Sequence, residues 1–548
     1  RKRSERIQPE LIFKPENCCD QSDYLPVKEY ADKREKAVTG SSRTEIESEA
    51  IRNFCTANVG EEISVLRKMA LPDFIAGQQI TPEIIKNPAS ILPMFTDFSD
   101  YIYSENFPGI NRIMTGMRAN NQVDIQWELY KVGETGEHKA IRTLSSQSLR
   151  DVLKGTGKSC DLDAIYKLKA AYLRKQINIK VNQDSFAVFM NNFRSRNSFS
   201  RVTFECLAEE FEREFNFDLV EATCELYDQH GLAALRVQDI EQYTGKGNEG
   251  PMLAFSVWNS SDVNGIISAY TDKGDGSRDL LNVGDFMIRA GECSRICFPL
   301  SHSVGGVILQ SNLAQNIPGN YIYNFMEFPQ EALVHAGRKK LEPFCFLPPS
   351  GEIVVDNEDQ GFHVFASETK ESLLGKLLQD KMIVEDSGVD FLTDNAPGWV
   401  SSVYIDAYGF PVRSFLGKKT KNSQARAEWK TEIPEQGEYG VSIYKLDLDF
   451  RYQRQADSVA YYYTLEQGDY RADIVMSFLR NGLQNIYLSD NLGRKEEYSY
   501  QQQMPQCGWI QVGVLPLAKG KVKLILHDKG AFPEQLVFVD AVKWVKKS

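Results

Sequence analysis

Three short stretches bring together residue types that do chemistry. Asp272, Asp275 and Asp279, within Asp272-Lys273-Gly274-Asp275-Gly276-Ser277-Arg278-Asp279, offer the carboxylate oxygens that Ca²⁺ prefers. Their spacing departs from the helix-loop-helix calcium loop, and Lys273 and Arg278 intrude on the site. An exposed hairpin turn is therefore favoured over a calcium site. Asp356-Asn357-Glu358-Asp359, at the exit of Ile353-Val354-Val355, is a second acidic tip and reads the same way. Lys154-Gly155-Thr156-Gly157-Lys158-Ser159 ends like a phosphate loop, but the first glycine of GxxxxGK[ST] would fall at Val152 and no strand precedes it. A polar turn between helices is expected. No GxSxG occurs in the chain.

Composition narrows the chemistry further. Only six histidines occur in 548 residues, and no two are closer than His335 and His363, so no H-x₃-H pair exists to start a zinc site. Lys and Arg number 63 against 75 Asp and Glu, a net charge of −12 that repels phosphate backbones and argues against nucleic acid as partner. With 11% aromatic and 25% charged residues the chain reads as folded domains with real cores, which excludes a disordered protein. No run of 18 apolar residues is present, so no helix within the chain is expected to span a bilayer. Arg1-Lys2-Arg3-Ser4-Glu5-Arg6 lacks both an initiator Met and a following apolar stretch. It is expected to be a cut end, or a stub beside a membrane span, of something longer. Among ten cysteines, Cys18-Cys19 and Cys293/Cys297 lack zinc-site spacing, and Cys206 and Cys224 are expected as buried thiols on helices.

The elements that must position these residues fall into two halves. Residues 44 to about 230 read as helical. Phe186, Phe189 and Phe193 follow i, i+3, i+7 after a capping Asp184, and Phe204, Leu207, Phe211 and Phe215 repeat the stripe after Thr203. Both helices are expected on a common core.

The order Leu66-Arg67-Lys68-Met69-Ala70, Phe74 to Pro82, Phe98-Ser99-Asp100-Tyr101, Leu168 to Leu173, Phe186 to Phe193, Phe215 to Leu219 and Leu226 to Leu232 resembles the end of an M1-type zinc aminopeptidase domain over residues 60 to 235. That family uses HExxH on a helix with a further Glu, two imidazoles on one face holding zinc and the Glu serving as base. Here the matching helix reads Met69-Ala70-Leu71-Pro72-Asp73 and the third-ligand segment Phe95-Thr96-Asp97-Phe98. The resemblance thus implies a pseudo-peptidase whose zinc site is lost, retained as scaffold or binding surface.

From Leu235 the period changes to about 2. Met252 to Trp258, Gly265 to Tyr270 and Gly305 to Leu309 read as strands of an immunoglobulin-like sandwich over residues 235 to 345, with Asn259 to Gly265 as a hairpin connector. Residues 346 to 395 read as a semi-ordered connector. Beyond it, Trp429, Ile433-Pro434-Glu435-Gln436-Gly437-Glu438-Tyr439-Gly440-Val441, Ala460 to Thr464, Cys507-Gly508-Trp509-Ile510-Gln511-Val512-Gly513, Val522 to Leu526 and Val539-Asp540-Ala541-Val542-Lys543-Trp544 form a spaced series. It resembles the golvesin C-terminal or xanthan-lyase carbohydrate-binding-like domain over about residues 398 to 544, which implies a jelly-roll-like antiparallel sandwich. The resemblance implies sugar stacking on Trp429, Tyr461, Tyr463 and Trp509. Against this stands core packing of Trp429, Trp509 and Trp544. Tyr461, Tyr462 and Tyr463 are consecutive, so at least one ring lies on the opposite face of the strand.

The expectation is a multidomain α + β protein: a helical bundle-like first half followed by two antiparallel β-sandwiches. Its segments are an N-terminal extension (1–43), a helical domain (44–234), a sandwich (235–345), a connector (346–395) and a terminal sandwich (396–548). The expected role is non-catalytic binding of polysaccharide or cell-envelope glycan, or of a partner protein, outside the cytoplasm of a bacterium. No cofactor is expected apart from the calcium candidate. The rivals are a glycan lyase or hydrolase whose acid/base pair escapes motif reading, and the extracytoplasmic part of a transport complex. Two converging carboxylates would favour an enzyme, and a shallow aromatic face a binder.

Overall fold

The computed structural model describes residues 102–117, 135–155, 162–197, 202–244, 250–272, 280–325, 330–331, 335–346, 351–365, 383–384, 399–419, 426–446, 458–479, 482–499, 508–527 and 535–547. The segments aligned with the zinc ligands of the peptidase family, residues 69–73 and 95–98, lie outside these, as do Thr156 to Ser159, Asp275, Asp279 and the side chain of Asp272. The chain divides into two compact units between Gly231 and Leu232, with residues 285–287 grouping with the first and 123–141 with the second.

The first unit is helical, and its sequence explains where its helices begin. Ser148 and Asp151 form a reciprocal capping box ahead of Leu149–Leu153. Thr203 accepts from the Cys206 N–H to start Phe204–Phe215, and Asp218 accepts from the Glu221 N–H to start Leu219–Asp228. Gln183–Asn197 is capped two residues earlier than expected: the Asn182 side chain accepts from the Asp184 N–H at 2.9 Å, which leaves Asp184 inside the first turn. Phe204, Leu207 and Phe211 are buried along one stripe, and Phe211 meets Phe186 and Phe189 edge-on. Cys206 and Cys224 are exposed, because the buried stripes of their helices run through Leu207–Phe211 and Ala222–Leu226 and leave both thiols on the outer side. The expectation of buried thiols fails there.

The second unit is β-rich. Its first part has a five-stranded sheet in the order Gln330–Glu331, Leu235–Thr244, Met252–Asn259, Cys293–Pro299, Gly337–Lys340, and a four-stranded sheet in the order Leu280–Ile288, Gly265–Asp272, Gly306–Asn312, Asn320–Asn324. The three strands expected from the sequence are all present. Asn259 holds the connector after Met252–Asn259 by donating to the Val263 carbonyl at 2.7 Å.

The C-terminal part has three sheets around one core that includes Trp399, Trp429 and Trp544. A four-stranded sheet runs Glu352–Val355, Val542–Lys546, Gly437–Lys445, Gly508–Leu517, and another runs Ile383–Val384, Trp399–Val403, Ser414–Lys419, Leu536–Val539. The third has seven strands, in the order Phe362–Phe365, Arg426–Ile433, Gly520–His527, Ser458–Gln467, Tyr470–Leu479, Gly482–Asp490, Lys495–Ser499. Alternation is clean on Tyr470–Leu479, where Ala472, Ile474, Met476 and Phe478 are buried. The expected connector is overturned in its described part. Glu352–Val355 pairs with Val542–Lys546, and Phe362–Phe365 pairs with Arg426–Ile433, so both strands belong to the terminal sandwich. The two β parts are joined by Ile317, which bridges to Val412, and by Arg413, whose guanidinium donates to the carbonyls of Pro318 and Asn320.

Candidate functional site

The outer face of the four-stranded sheet carries the site. Tyr439, Val441 and Ile443 point into the core, so by period 2 Ser442 and Tyr444 face outward. Tyr444 lies directly across from Trp509 on the neighbouring strand, while Ile510 and Val512 point inward. On the other side Lys543 lies across from Ser442, between the inward-facing Val542 and Trp544.

Onto this face folds the loop between Val403 and Ser414, carrying Tyr408. The Tyr408 ring meets Trp509 edge-on at 4.9 Å and 68° and lies 5.5 Å from Tyr444, while Tyr444 meets Trp509 at 5.2 Å and 84°. All three rings are half-buried, so each keeps surface toward solvent while its neighbours fix its rotamer. The Tyr444 hydroxyl donates to the Asp406 carbonyl at 3.0 Å. Lys543 Nζ lies 4.8 Å from the Trp509 ring centre and 3.4 Å from Glu352 Oε1, adding a donor and an acceptor beside the rings. The result is an aromatic cradle with polar groups at its rim.

Directly behind Tyr408 lies a carboxyl pair. Asp356, 7% exposed, and Asp540, 2% exposed, are within hydrogen-bonding reach of each other. The Tyr408 N–H donates to Asp540 Oδ2 at 2.9 Å, and the Asn357 N–H donates to Asp356 Oδ1 at 2.8 Å. Asp540 Oδ1 has no donor among the described residues. Burial raises both carboxyls, that of Asp356 to about 7 and that of Asp540 well above the usual carboxylate range. The charges of Asp359 and Glu358 push Asp356 up further while its hydrogen bond with Asp540 lowers it, and the charge of Asp356 pushes Asp540 up further. Such a pair keeps a proton to higher pH than an ordinary carboxylate does. Beside it, the Ser414 hydroxyl donates to Glu358 Oε1 at 2.6 Å, and Asp359 accepts from the Asp356 N–H at 2.8 Å. The reading of Asp356 to Asp359 as an exposed tip is thus overturned at Asp356, which the closing strand brings against Asp540.

The expected sugar-stacking residues separate. Trp429, Tyr461 and Tyr463 are 1%, 1% and 4% exposed and belong to the sandwich core, where no ring face is open to a sugar. Tyr462, between them, points outward and is half-buried. Of the four, Trp509 alone lies on the aromatic cradle. Sequence reasoning missed Tyr408, Tyr444 and the Asp356–Asp540 pair. Tyr444 could have been found by parity with Tyr439, Val441 and Ile443, whereas Tyr408 sits in a loop with no periodic signal. Among the described residues no group of three His, Cys, Asp or Glu side chains is arranged to hold a metal ion. A cleft of about 710 Å³ lies in the first sandwich, lined by Arg289, Glu292, Ser294, Arg338, Lys340 and Glu342 among others, and neither Asp356 nor Asp540 lines it.

No protein-family model matches the sequence, and no curated protein matches it. Among solved structures, a xanthan lyase from Paenibacillus aligns at 12% identity over 57% of this chain and 26% of its own, with a TM-score of 0.22. A β-glucuronidase from Bacteroides uniformis aligns at 9% identity over 58% of this chain and 30% of its own, with a TM-score of 0.17. The chain spans under a third of either protein, and TM-scores this low carry neither fold nor chemistry across to it. The golvesin and xanthan-lyase resemblance of residues 398 to 544 therefore rests on its motif series. The aminopeptidase resemblance of residues 60 to 235 has no support from these matches. No described helix is long and apolar enough to cross a membrane.

Proposed function

We propose that the protein is a non-catalytic glycan-binding protein acting outside the cytoplasm, with its sugar ligand held on the cradle of Tyr408, Tyr444 and Trp509. The observation that carries this reading is the grouping of three half-buried rings on one sheet face, with Lys543 and Glu352 at the rim. Pyranose rings present apolar C–H faces to aromatic rings and ring hydroxyls to charged groups, the combination this face offers. The helical unit serves in this reading as a scaffold.

The enzyme reading draws on the convergence of Asp356 and Asp540. It is the weaker of the two, because both carboxyls are closed off by the Tyr408 backbone and the sandwich core, with no path for a glycosidic oxygen. The test is affinity electrophoresis of the full chain in soluble β-glucan, galactomannan and polygalacturonate. Retention by one of them, lowered about tenfold in Trp509→Ala and Tyr444→Ala with unchanged circular dichroism, is expected. Depolymerisation of any of these polymers, abolished in Asp540→Asn, would overturn the non-catalytic reading.

A further inference from the structure

The Asp356–Asp540 pair touches the cradle at one place, and that place is the backbone of Tyr408 and Gly409. Asp540 Oδ2 accepts from the Tyr408 N–H at 2.9 Å, and a Cβ placed on Gly409 would lie 2.8 Å from Asp356 Oδ2. The two carboxyls thus lie against two adjacent loop residues. The ends of the loop are fixed independently. Tyr404 N–H donates to the Arg413 carbonyl at 3.2 Å, and Arg413 is held by the carbonyls of Ile405, Pro318 and Asn320. Arg236 lies 4.2 Å from the Phe410 ring centre. Between these anchors, the Tyr444 hydroxyl holds the Asp406 carbonyl and the carboxyl pair lies against Tyr408 and Gly409.

We propose that the Asp356–Asp540 pair is a proton switch that sets the position of Tyr408, so that the aromatic cradle is assembled while the two carboxyls share a proton and comes apart when both are ionised. This rests on the reading of the cradle as the ligand site. With one proton shared, the buried pair carries a single negative charge that the Tyr408 N–H stabilises. With none, two like charges stand in contact away from water. Glu358 and Asp359 from the following turn add negative charge, as does Glu352 near Tyr408. Among the described residues, the cations facing this region include Arg236, which acts on Tyr408, and Lys543, beside Glu352 and Trp509. Repulsion is relieved when a carboxyl swings toward solvent, and the Tyr408–Gly409 backbone is what blocks that path. Moving it draws the Tyr408 ring away from Trp509 and Tyr444.

The closed loop holds its proton more tightly than the opened loop, in which the carboxyls are solvated. The ratio of open to closed therefore rises with pH, by up to about tenfold per pH unit, from the ordinary carboxylate range near 4 up to the raised range in which the closed pair gives up its last proton. Above that range both states are ionised and no further change is expected. The cradle is thus favoured by acid.

Two readouts separate the switch from the ligand reading. The first needs no ligand: the tryptophan emission of the wild type minus that of Trp509→Phe, followed from pH 4 to 9. The expected result is a transition on the alkaline side of the ordinary carboxylate range. It should vanish in Asp540→Asn, whose amide can donate to the Asp356 carboxylate while its oxygen still accepts from the Tyr408 N–H, and in Asp356→Asn. The second readout is retention on whichever of the three polysaccharides binds, expected to be about tenfold weaker at pH 9 than at pH 5 in the wild type and equal at both in the asparagine variants. A flat wild-type signal, or a folded asparagine variant that titrates like the wild type, overturns the switch. A Trp509 transition present in the wild type and lost in both variants, with no polysaccharide retained, supports the switch and removes the glycan reading alone.

Discussion

The Trp429 indole N–H donates to the backbone carbonyl of Asp540 at 2.8 Å. A core tryptophan thus fixes the main chain of the residue whose carboxyl holds the Tyr408 loop. Asp540 is gripped from both sides, from the core through its carbonyl and from the loop through its side chain. This explains why Trp429, which belongs to the motif series of the sequence, is buried rather than presented to solvent.

Replacing Trp429 with Phe removes that donor and leaves a buried carbonyl unpaired beside the Phe362 and Tyr463 rings. The expected cost is about 1–3 kcal/mol of stability. Polysaccharide retention per folded molecule should be unchanged. Denaturant unfolding and affinity electrophoresis of the same sample measure both, and lost retention in a variant of wild-type stability would return Trp429 to the ligand.

In the helical unit, Lys169 is 1% exposed and its Nζ donates to the Leu226 carbonyl, in the last turn of Leu219–Asp228, at 2.8 Å. The helix C-terminus favours a cation there, but burial dominates and lowers its pKa to about 8. The unfolded chain then binds the proton more tightly than the folded one, so this residue's contribution to stability increases as pH rises from about 8 to about 10. Lys169→Met should raise the stability of this unit at pH 7 and flatten that increase. Unfolding followed by helical circular dichroism at pH 7, 8.5 and 9.5 measures it. A variant with the wild-type slope would show that Lys169 is not its source.

The division between what the sequence disclosed and what it hid follows chain distance. Helix starts at Thr203 and strands such as Met252–Asn259 rest on neighbouring residues, and they were legible. The core role of Tyr461 and Tyr463, both expected to stack sugars, could have been found by their parity with Val459 and Leu465, all four being buried. Asp356 was not legible, because four polar residues in a row look like a turn and its burial depends on Asp540, brought beside it by the pairing of Glu352–Val355 with Val542–Lys546. The same pairing turned an expected connector into sandwich. The candidate site was half legible: Trp509 stands in a motif and Tyr444 in a strand pattern, whereas Tyr408 reaches them only through a loop held by long-range contacts.

Gly409 has φ +126°, and a Cβ added there would lie 2.1 Å from the Val412 carbonyl oxygen as well as against Asp356. Gly409→Ala therefore meets both a backbone penalty of roughly 1–3 kcal/mol and a clash that only loop movement relieves. A lower melting temperature and the high-pH form of the Trp509 emission at pH 5 are expected. Wild-type emission at pH 5 would show that the loop tolerates the side chain without moving Tyr408.

Arg413 offers the clearest test of how the β-rich unit holds together. Its guanidinium donates to the carbonyls of Ile405 at 2.8 Å, Pro318 at 2.8 Å and Asn320 at 2.6 Å, and it lies 4.9 Å from the Tyr321 ring centre. Three carbonyls from two sandwiches converge on one planar fork, a geometry that a lysine ammonium on a flexible stem reproduces poorly. Its own N–H donates to the Ile317 carbonyl at 2.7 Å, and that bond survives any side-chain change. Hydrogen bonds from a charged donor contribute about 1.5–3 kcal/mol each, so Arg413→Lys should cost several kcal/mol at the junction while leaving both sandwich cores intact. The expected outcome in calorimetry is that a single β-unit transition becomes two, with the earlier one belonging to one sandwich. An unchanged single transition at the wild-type temperature would mean that Ile317–Val412 and its neighbours couple the sandwiches without Arg413.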